Sequence, residues 1–425
     1  AYIGRELFLS INMGILRSFL KRLTRTKALE QSSGELETLF FESVYRVAYL
    51  LGHSTTDRNI GYLIYSTIVK LMIALLICSE IWYTLTKSTS MDELVGNINT
   101  TFIQFIAIYR YKNMMDHKNV YKKLAVSMES PNFDTSTDMR KSLVRFWANR
   151  NEKYLKLLLV LGNCTLATWY VYPLTDDVEY NLVLGLRMPF KYDSSLVYPF
   201  VYIWAVIAFM YSSHFIMITD LIMQTHLMHL ICQFAVLSDC FENLLVDCHV
   251  GFEETKQTYL IYNQSFRDKY LKRLGNLVTQ HKAILGHAMK LKETLSRPML
   301  GQLTVSGIMI CSVGYQATTT ISETYAKGVM SLLFLGYNGF QMYIICRWCE
   351  EITVQSQRIG ESIYSSGWES GMGILPGVRS TITLVIARAN KPLIFTAGGM
   401  YNLSLTSYST TCNSLNNLNI FLVCR

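Results

Sequence analysis

Charge is scarce in this sequence. Asp, Glu, Lys and Arg together make up 16% of its 425 residues, against roughly 25% in an ordinary soluble domain. That deficit excludes a soluble enzyme. Paired cysteine motifs are missing too. Cys346 and Cys349 form a lone C-x-x-C beside Arg347, with no second pair to complete a metal site. They read as two packed thiols, so neither a metal nor a cofactor is expected. No catalytic constellation stands out either. His214, His226 and His229 share one long helical stretch with no matching carboxylate pattern. The first residues have no apolar stretch leading into a small-residue cleavage site, so no signal peptide is expected.

What the sequence does have is apolar residues gathered into runs. Half of it is hydrophobic (50%) and the mean hydropathy is +0.21. Runs with almost no charge recur at 61–85, 155–174, 196–219, 299–321, 328–346 and 393–424. A weaker run at 94–109 contains Asn97, Asn99 and Gln104. A helix needs about 20 mostly apolar residues to cross a bilayer, so seven spans are expected. Lys70, Glu80 and Asp220 are the few charges within or beside them. Asp220, near the inner end of the fourth, could pair with a Lys or Arg of a neighbouring helix.

The net charge of +8 reads as topology, not as nucleic-acid binding. Lys and Arg crowd the N-terminal segment (Arg17, Lys21, Arg22), the stretch after the second run (Lys118, Lys122, Lys123) and the stretch after the fourth (Lys269, Lys272, Arg273). The intervening loops are poor in them, so the positive-inside rule puts alternate loops in the cytosol. The fold class expected is an all-α membrane protein with a cytosolic N-terminus and an extracellular C-terminus. G-protein-coupled receptors have the opposite orientation. Of the sequons at Asn99, Asn163, Asn263 and Asn402, only Asn99 then falls near the outside.

The chain divides into a cytosolic segment (1–59), spans one to four (60–222), a cytosolic helical extension or anchor (223–297), spans five and six (298–350), a cytosolic segment with a short helix (351–392), and the last span (393–425). Val197 to Val246 contains no Gly, and a helix of that length would measure about 75 Å. Its distal part carries an apolar stripe: Leu227, Leu230, Phe234, Leu237, Phe241 and Leu244. A second stripe follows: Leu274, Leu277, His281, Ile284, Ala288, Leu291 and Leu295. The two stripes need a partner, either each other or another subunit, with subunit association favoured. His281 reads as a packing residue. Arg297-Pro298 is expected to open the fifth span, where a first-turn proline is tolerated.

In the last run, Asn402, Thr406, Ser409, Asn413, Asn416, Ile420 and Val423 recur at steps of four and three, on one helical face. An uncharged polar stripe ending in apolar residues suits a water-filled pore with a dewetting gate. It equally suits hydrogen bonding between helices of a bundle.

Two stretches carry a family resemblance. One runs from Lys391-Pro392-Leu393-Ile394-Phe395-Thr396-Ala397-Gly398-Gly399 to Leu403-Ser404-Leu405. The other is Ser362-Ile363-Tyr364-Ser365-Ser366-Gly367-Trp368. Both resemble the C-terminal signature of insect odorant receptors. Asn416-Asn417-Leu418-Asn419-Ile420-Phe421 departs from the family's Ser-Tyr-Ser-Tyr-Phe-like ending. The resemblance implies a ligand-gated, non-selective cation channel of four subunits in the plasma membrane of olfactory dendrites. Most members tune the odour response and assemble with a shared coreceptor subunit. It makes Val423 the gate candidate. It also places a pocket for a small volatile hydrophobic ligand in the outer halves of spans two, three, four and six. There this sequence offers Phe102, Phe105, Gly162, Thr165, Trp169, Tyr202, Val206, Phe209, Phe334 and Tyr337. A gustatory receptor, whose usual Gln-Phe ending is absent here, and a non-channel transporter are the alternatives.

Overall fold

Stretches rich in helix formers and poor in breakers let single helices run far past the thickness of a bilayer. The computed structural model of the chain describes residues 24, 26–86, 91–175, 179–252, 257–320, 325–410 and 413, and helices dominate it. They are α1 (Lys27–Glu30), α2 (Glu35–Leu50), α3 (Ile60–Thr86), α4 (Met91–Asp116), α5 (Lys118–Val126), α6 (Asp138–Thr175), α7 (Tyr198–Glu242), α8 (Leu244–His249), α9 (Gln264–Thr320), α10 (Tyr325–Tyr364) and α11 (Val378–Ala389). Two two-residue strands, β1 (Thr396–Ala397) and β2 (Tyr401–Asn402), form a small antiparallel hairpin. Among the described residues four stretches are long and apolar enough to cross a membrane: Ile60–Thr86, Asp138–Leu174, Tyr198–Glu242 and Val329–Tyr364.

The outer faces of these helices are apolar. Leu63, Ile64, Ile68, Leu71 and Leu75 of α3 are exposed, as are Phe200, Ile203 and Ile207 of α7. Surface of that kind is at home against lipid and would aggregate in water.

Both amphipathic stripes are real helical faces. Every member of the first is at most 1% exposed and every member of the second at most 3%. They share one core with α10 and α11. The expected subunit contact is therefore corrected: the stripes are covered within a single chain, by each other and by α10. Their register, alternating steps of three and four, suits a partner helix from the same chain as well as one from another.

Pro298 does not open a helix, which corrects the expected start of the fifth span. It lies inside the 57-residue α9, whose extent is roughly 85 Å at about 1.5 Å per residue. Proline's fixed φ is a helical one, so here the chain forgoes one N–H bond and continues.

Where the extension meets the ends of α7 and α9, five charges interlock. The Arg140 guanidinium, 1% exposed, donates to Asp134 (2.7 Å), Asp239 (2.8 Å) and Asp247 (2.7 Å). Arg273 donates to Asp134 and, at 3.1 Å, to Asp247. Burial alone would raise the Asp134 carboxyl, but hydrogen bonds from Ser136 and the two guanidinium groups outweigh it and hold it at about 2. This cluster pins α6, α7, α8 and α9 together.

Candidate functional site

The weakest apolar run proves the most informative. Along α4, Asn97, Asn99, Thr100, Gln104 and Arg110 are buried, while Phe102, Phe105, Ile108 and Tyr109 are exposed. The helix turns its polar face inward, because lipid solvates aromatic and aliphatic side chains but not amides. Phe102 (50% exposed) and Phe105 (48%) consequently face away from the bundle, a correction to their expected place in a pocket. Asn99 is 4% exposed, so it is not presented to a glycan.

Inside that polar face lies a cavity walled by five helices. α4 contributes Thr100, Ile103, Gln104 and Arg110; α6 contributes Gly162, Thr165, Leu166 and Trp169. Phe209, Ser213, Ile216 and Met217 come from α7, Gln302 from α9, and Phe334, Tyr337, Asn338 and Gln341 from α10. Its atom-free space is about 700 Å³, of which about 70 Å³ admits the centre of a water-sized sphere. It is thus a narrow slot, small in the unliganded chain, that a ligand would have to widen. Trp169 packs its ring 5.6 Å from that of Phe209 and 5.8 Å from that of Phe334, centroid to centroid. Gly162 sits where a Cβ would strike Met217 and approach the Tyr337 ring, so its missing side chain keeps the slot open.

The structure brings Gly162, Thr165, Trp169, Phe209, Phe334 and Tyr337 together around this one cavity. Tyr202 and Val206 are not. Tyr202 donates its hydroxyl to the Tyr170 carbonyl at 2.5 Å, and both side chains pack on a neighbouring apolar core. Sequence reasoning missed Gln104, Asn338 and Gln341, and the whole contribution of α9. The signal was available: polar residues recurring at helical spacing within an apolar run mark its inward face.

Polar groups form one side of the slot. Arg110 (1% exposed) pairs with Asp220 (4%), and Gln341 donates to the same carboxylate. Gln302 extends the network, donating at 3.4 Å to Gln341 Oε1 and at 3.3 Å to Ser306 Oγ. Four helices thereby share one buried, charge-balanced network, and the partner expected for Asp220 is found on α4.

Residues 396–410 are seated on this same bundle. Gly398 (φ +60°) and Gly399 (φ +75°) adopt left-handed conformations that turn the hairpin. Asn402 pairs with Thr396 in it. Asn402 is thus not part of the last helix, a correction caused by that double-glycine turn. The helix begins at Leu405, where Ser404 Oγ accepts from Ser407 N at 3.1 Å as an N-cap. Glu350 of α10 accepts a second N-terminal N–H, that of Leu405, at 2.7 Å. Thr406, Ser409 and Asn413 are exposed on this protomer. Asn416, Ile420 and Val423 lie outside the described residues.

Residues 90–415 match the family model described as 7tm Odorant receptor. This chain belongs to the 7tm odorant receptor family. It resembles Odorant receptor 13a of Drosophila melanogaster, 20% identical over 82% of this chain and 84% of that one. It also resembles Odorant receptor 22b of the same fly, 27% identical over about a third of each chain (32% and 34%). In fold it matches the insect olfactory receptor OR5 from Machilis hrabei with a TM-score of 0.73, at 16% identity, over 90% of this chain and 97% of that one. The OR5 structure in complex with eugenol matches with the same score, 0.73, at 15% identity, over 92% of this chain and 99% of the other. As a family member with four long apolar helices, the receptor is a multi-pass membrane protein.

Proposed function

We propose that this receptor is a ligand-specific tuning subunit of a heteromeric, odorant-gated, non-selective cation channel. It would span the membrane seven times with its N-terminus in the cytosol. Its coreceptor partner would share a central pore lined by the last helix of each subunit. Its place would be the plasma membrane of olfactory dendrites. A small volatile molecule enters the slot between α4, α6, α7, α9 and α10. Thr406, Ser409, Asn413, Asn416, Ile420 and Val423 line the conducting path, with Val423 as the gate.

The observation that supports this reading is that α10 serves both places. Its Phe334, Tyr337, Asn338 and Gln341 wall the cavity. Its Gly339 carbonyl accepts from the Tyr408 hydroxyl at 3.3 Å, and its Tyr343 ring lies 5.8 Å from that of Tyr408. A ligand that repacks one side of α10 therefore acts on the helix resting against the other.

Whole-cell current in cells expressing this chain with and without an insect coreceptor, challenged with a volatile panel, tests the proposal. Odour-evoked inward current only when both are present, with altered permeation in Val423→Ala, is expected. Surface expression without evoked current in either case would overturn it.

A further inference from the structure

The amide groups in the slot have settled orientations, and the settling leaves them short of donors. Gln104 is 3% exposed and its Nε2 donates to Glu80 Oε1 at 3.1 Å. Asn338 is 2% exposed and its Nδ2 donates to the Phe334 carbonyl at 2.8 Å. The Phe334 carbonyl can only accept, so it fixes the NH₂ end of Asn338 and identifies the other end as oxygen; the Glu80 partner sets Gln104 the same way whenever its carboxyl is ionised. Both oxygens, Gln104 Oε1 and Asn338 Oδ1, are buried and have no hydrogen-bond partner. The Tyr337 hydroxyl, on the same wall, is buried and unpartnered as well. A ligand that buries these acceptors without supplying a proton leaves their hydrogen bonds unmade, so these atoms discriminate among ligands.

We infer that the slot selects neutral ligands bearing a hydroxyl, such as alcohols and phenols, over ethers, esters and hydrocarbons of the same shape. This rests on the reading that the slot is the odorant site. A hydroxyl offers a proton to an amide oxygen and lone pairs to the Tyr337 hydroxyl. An ether offers no proton and leaves both amide oxygens unsatisfied while displacing any water that served them. A carboxylate head is disfavoured too. Among the described residues of the wall Arg110 is the only charged one; Asp220 behind it neutralises it, so a carboxylate head finds no free cation there. The rest of the ligand lies among Trp169, Phe209 and Phe334, in a slot narrow enough to favour a flat or slender body.

The test compares 2-phenylethanol, its methyl ether and propylbenzene. Binding is measured on the purified full-length chain by thermal shift, and activation is measured as current in cells with the coreceptor. The alcohol should half-saturate the wild-type chain at a concentration roughly tenfold below that of the ether, the equivalent of one buried hydrogen bond. In Asn338→Leu that gap should fall below about threefold, with the alcohol weakened and propylbenzene improved. Should Asn338→Leu not reach the surface, Gln104→Met reads the same ratio on the opposite wall. Equal affinity for alcohol and ether in the wild-type chain would overturn the inference, as would an alcohol preference unchanged in both variants. The two readings separate cleanly. Currents evoked equally by alcohol and ether defeat the selectivity and leave the channel role intact. Alcohol-selective binding to a chain that never passes current defeats the channel role and leaves the selectivity intact.

Discussion

At the scale of single residues, the cavity depends on an absent side chain and a buried pair. A Cβ at Gly162 meets the flexible end of Met217 first, so Gly162→Ala should be absorbed with little change. Gly162→Leu should fill the slot and raise the half-activating concentration more than tenfold, with surface expression unchanged by biotinylation. Arg110 and Asp220 make a different kind of contribution. Removing either leaves an uncompensated charge inside the bundle, at a cost of about 3–5 kcal/mol, whereas removing both can be nearly neutral. Asp220→Leu alone should therefore abolish surface expression, and the double substitution Arg110→Leu with Asp220→Leu should restore part of it. Counting surface receptor for the three variants checks this. At this scale the sequence was only partly legible. Phe102 and Phe105 drew attention as aromatic rings, yet in lipid a ring is the ordinary outward residue. The inward face of α4 was written in Asn97, Asn99 and Gln104, whose polarity made the run look like a doubtful span.

At the scale of elements, the distal halves of α7 and α9 build a helical core of their own that continues from the apolar bundle. The stripes on α7 and α9 were legible at every position, because step-of-three-and-four periodicity is a local property of sequence. What covers them was not, since the same stripe fits a helix of its own chain or of another. Burial pushes the His281 ring down to about 4 from its ordinary 6.5, and the nearby Arg388 cation adds to the effect. The folded chain thus keeps this ring neutral, while the unfolded chain takes up a proton as pH falls through 6.5. Between about 6.5 and 4 the unfolded state binds more protons, so stability is lost across that window. Heat inactivation of the purified chain at pH 5 against pH 7 should show a smaller acid penalty for His281→Leu than for the wild type. The Arg140 cluster predicts the opposite sensitivity to substitution. Arg140→Met leaves Asp134, Asp239 and Asp247 facing one another with Arg273 alone to balance them. A loss of about 3–5 kcal/mol is expected, read as a lowered melting temperature. Arg140→Lys should not rescue it, because one ammonium cannot reproduce a fork donating to three carboxylates.

At the scale of the whole molecule, the question is how a slot inside the bundle reaches the chain's last helix. Two attachments tie that helix down. The Gly398 N–H donates to the Ser296 carbonyl of α9 at 2.8 Å, and the same glycine lies so close to Leu300 that a Cβ has no room. Glu350 of α10 holds the first turn of the helix through Leu405 N. Neither residue lines the cavity, so each separates the binding of a ligand from its consequence. The Gly398-Gly399 signature was visible in the sequence as a family mark, but its role needed the fold. Only there does the hairpin dock against α9, near Pro298, and displace Asn402 from the helix. Gly398→Ala adds both a strained φ and a collision with Leu300, and Glu350→Ala removes one N-terminal acceptor worth about 1 kcal/mol. Both variants should keep the wild-type affinity for ligand, measured by thermal shift on purified protein. Both should lose or slow the evoked current, Gly398→Ala more severely. If affinity and current fell together in proportion, α10 and the hairpin would be supporting the cavity, and the path from slot to last helix would have to run elsewhere in the bundle.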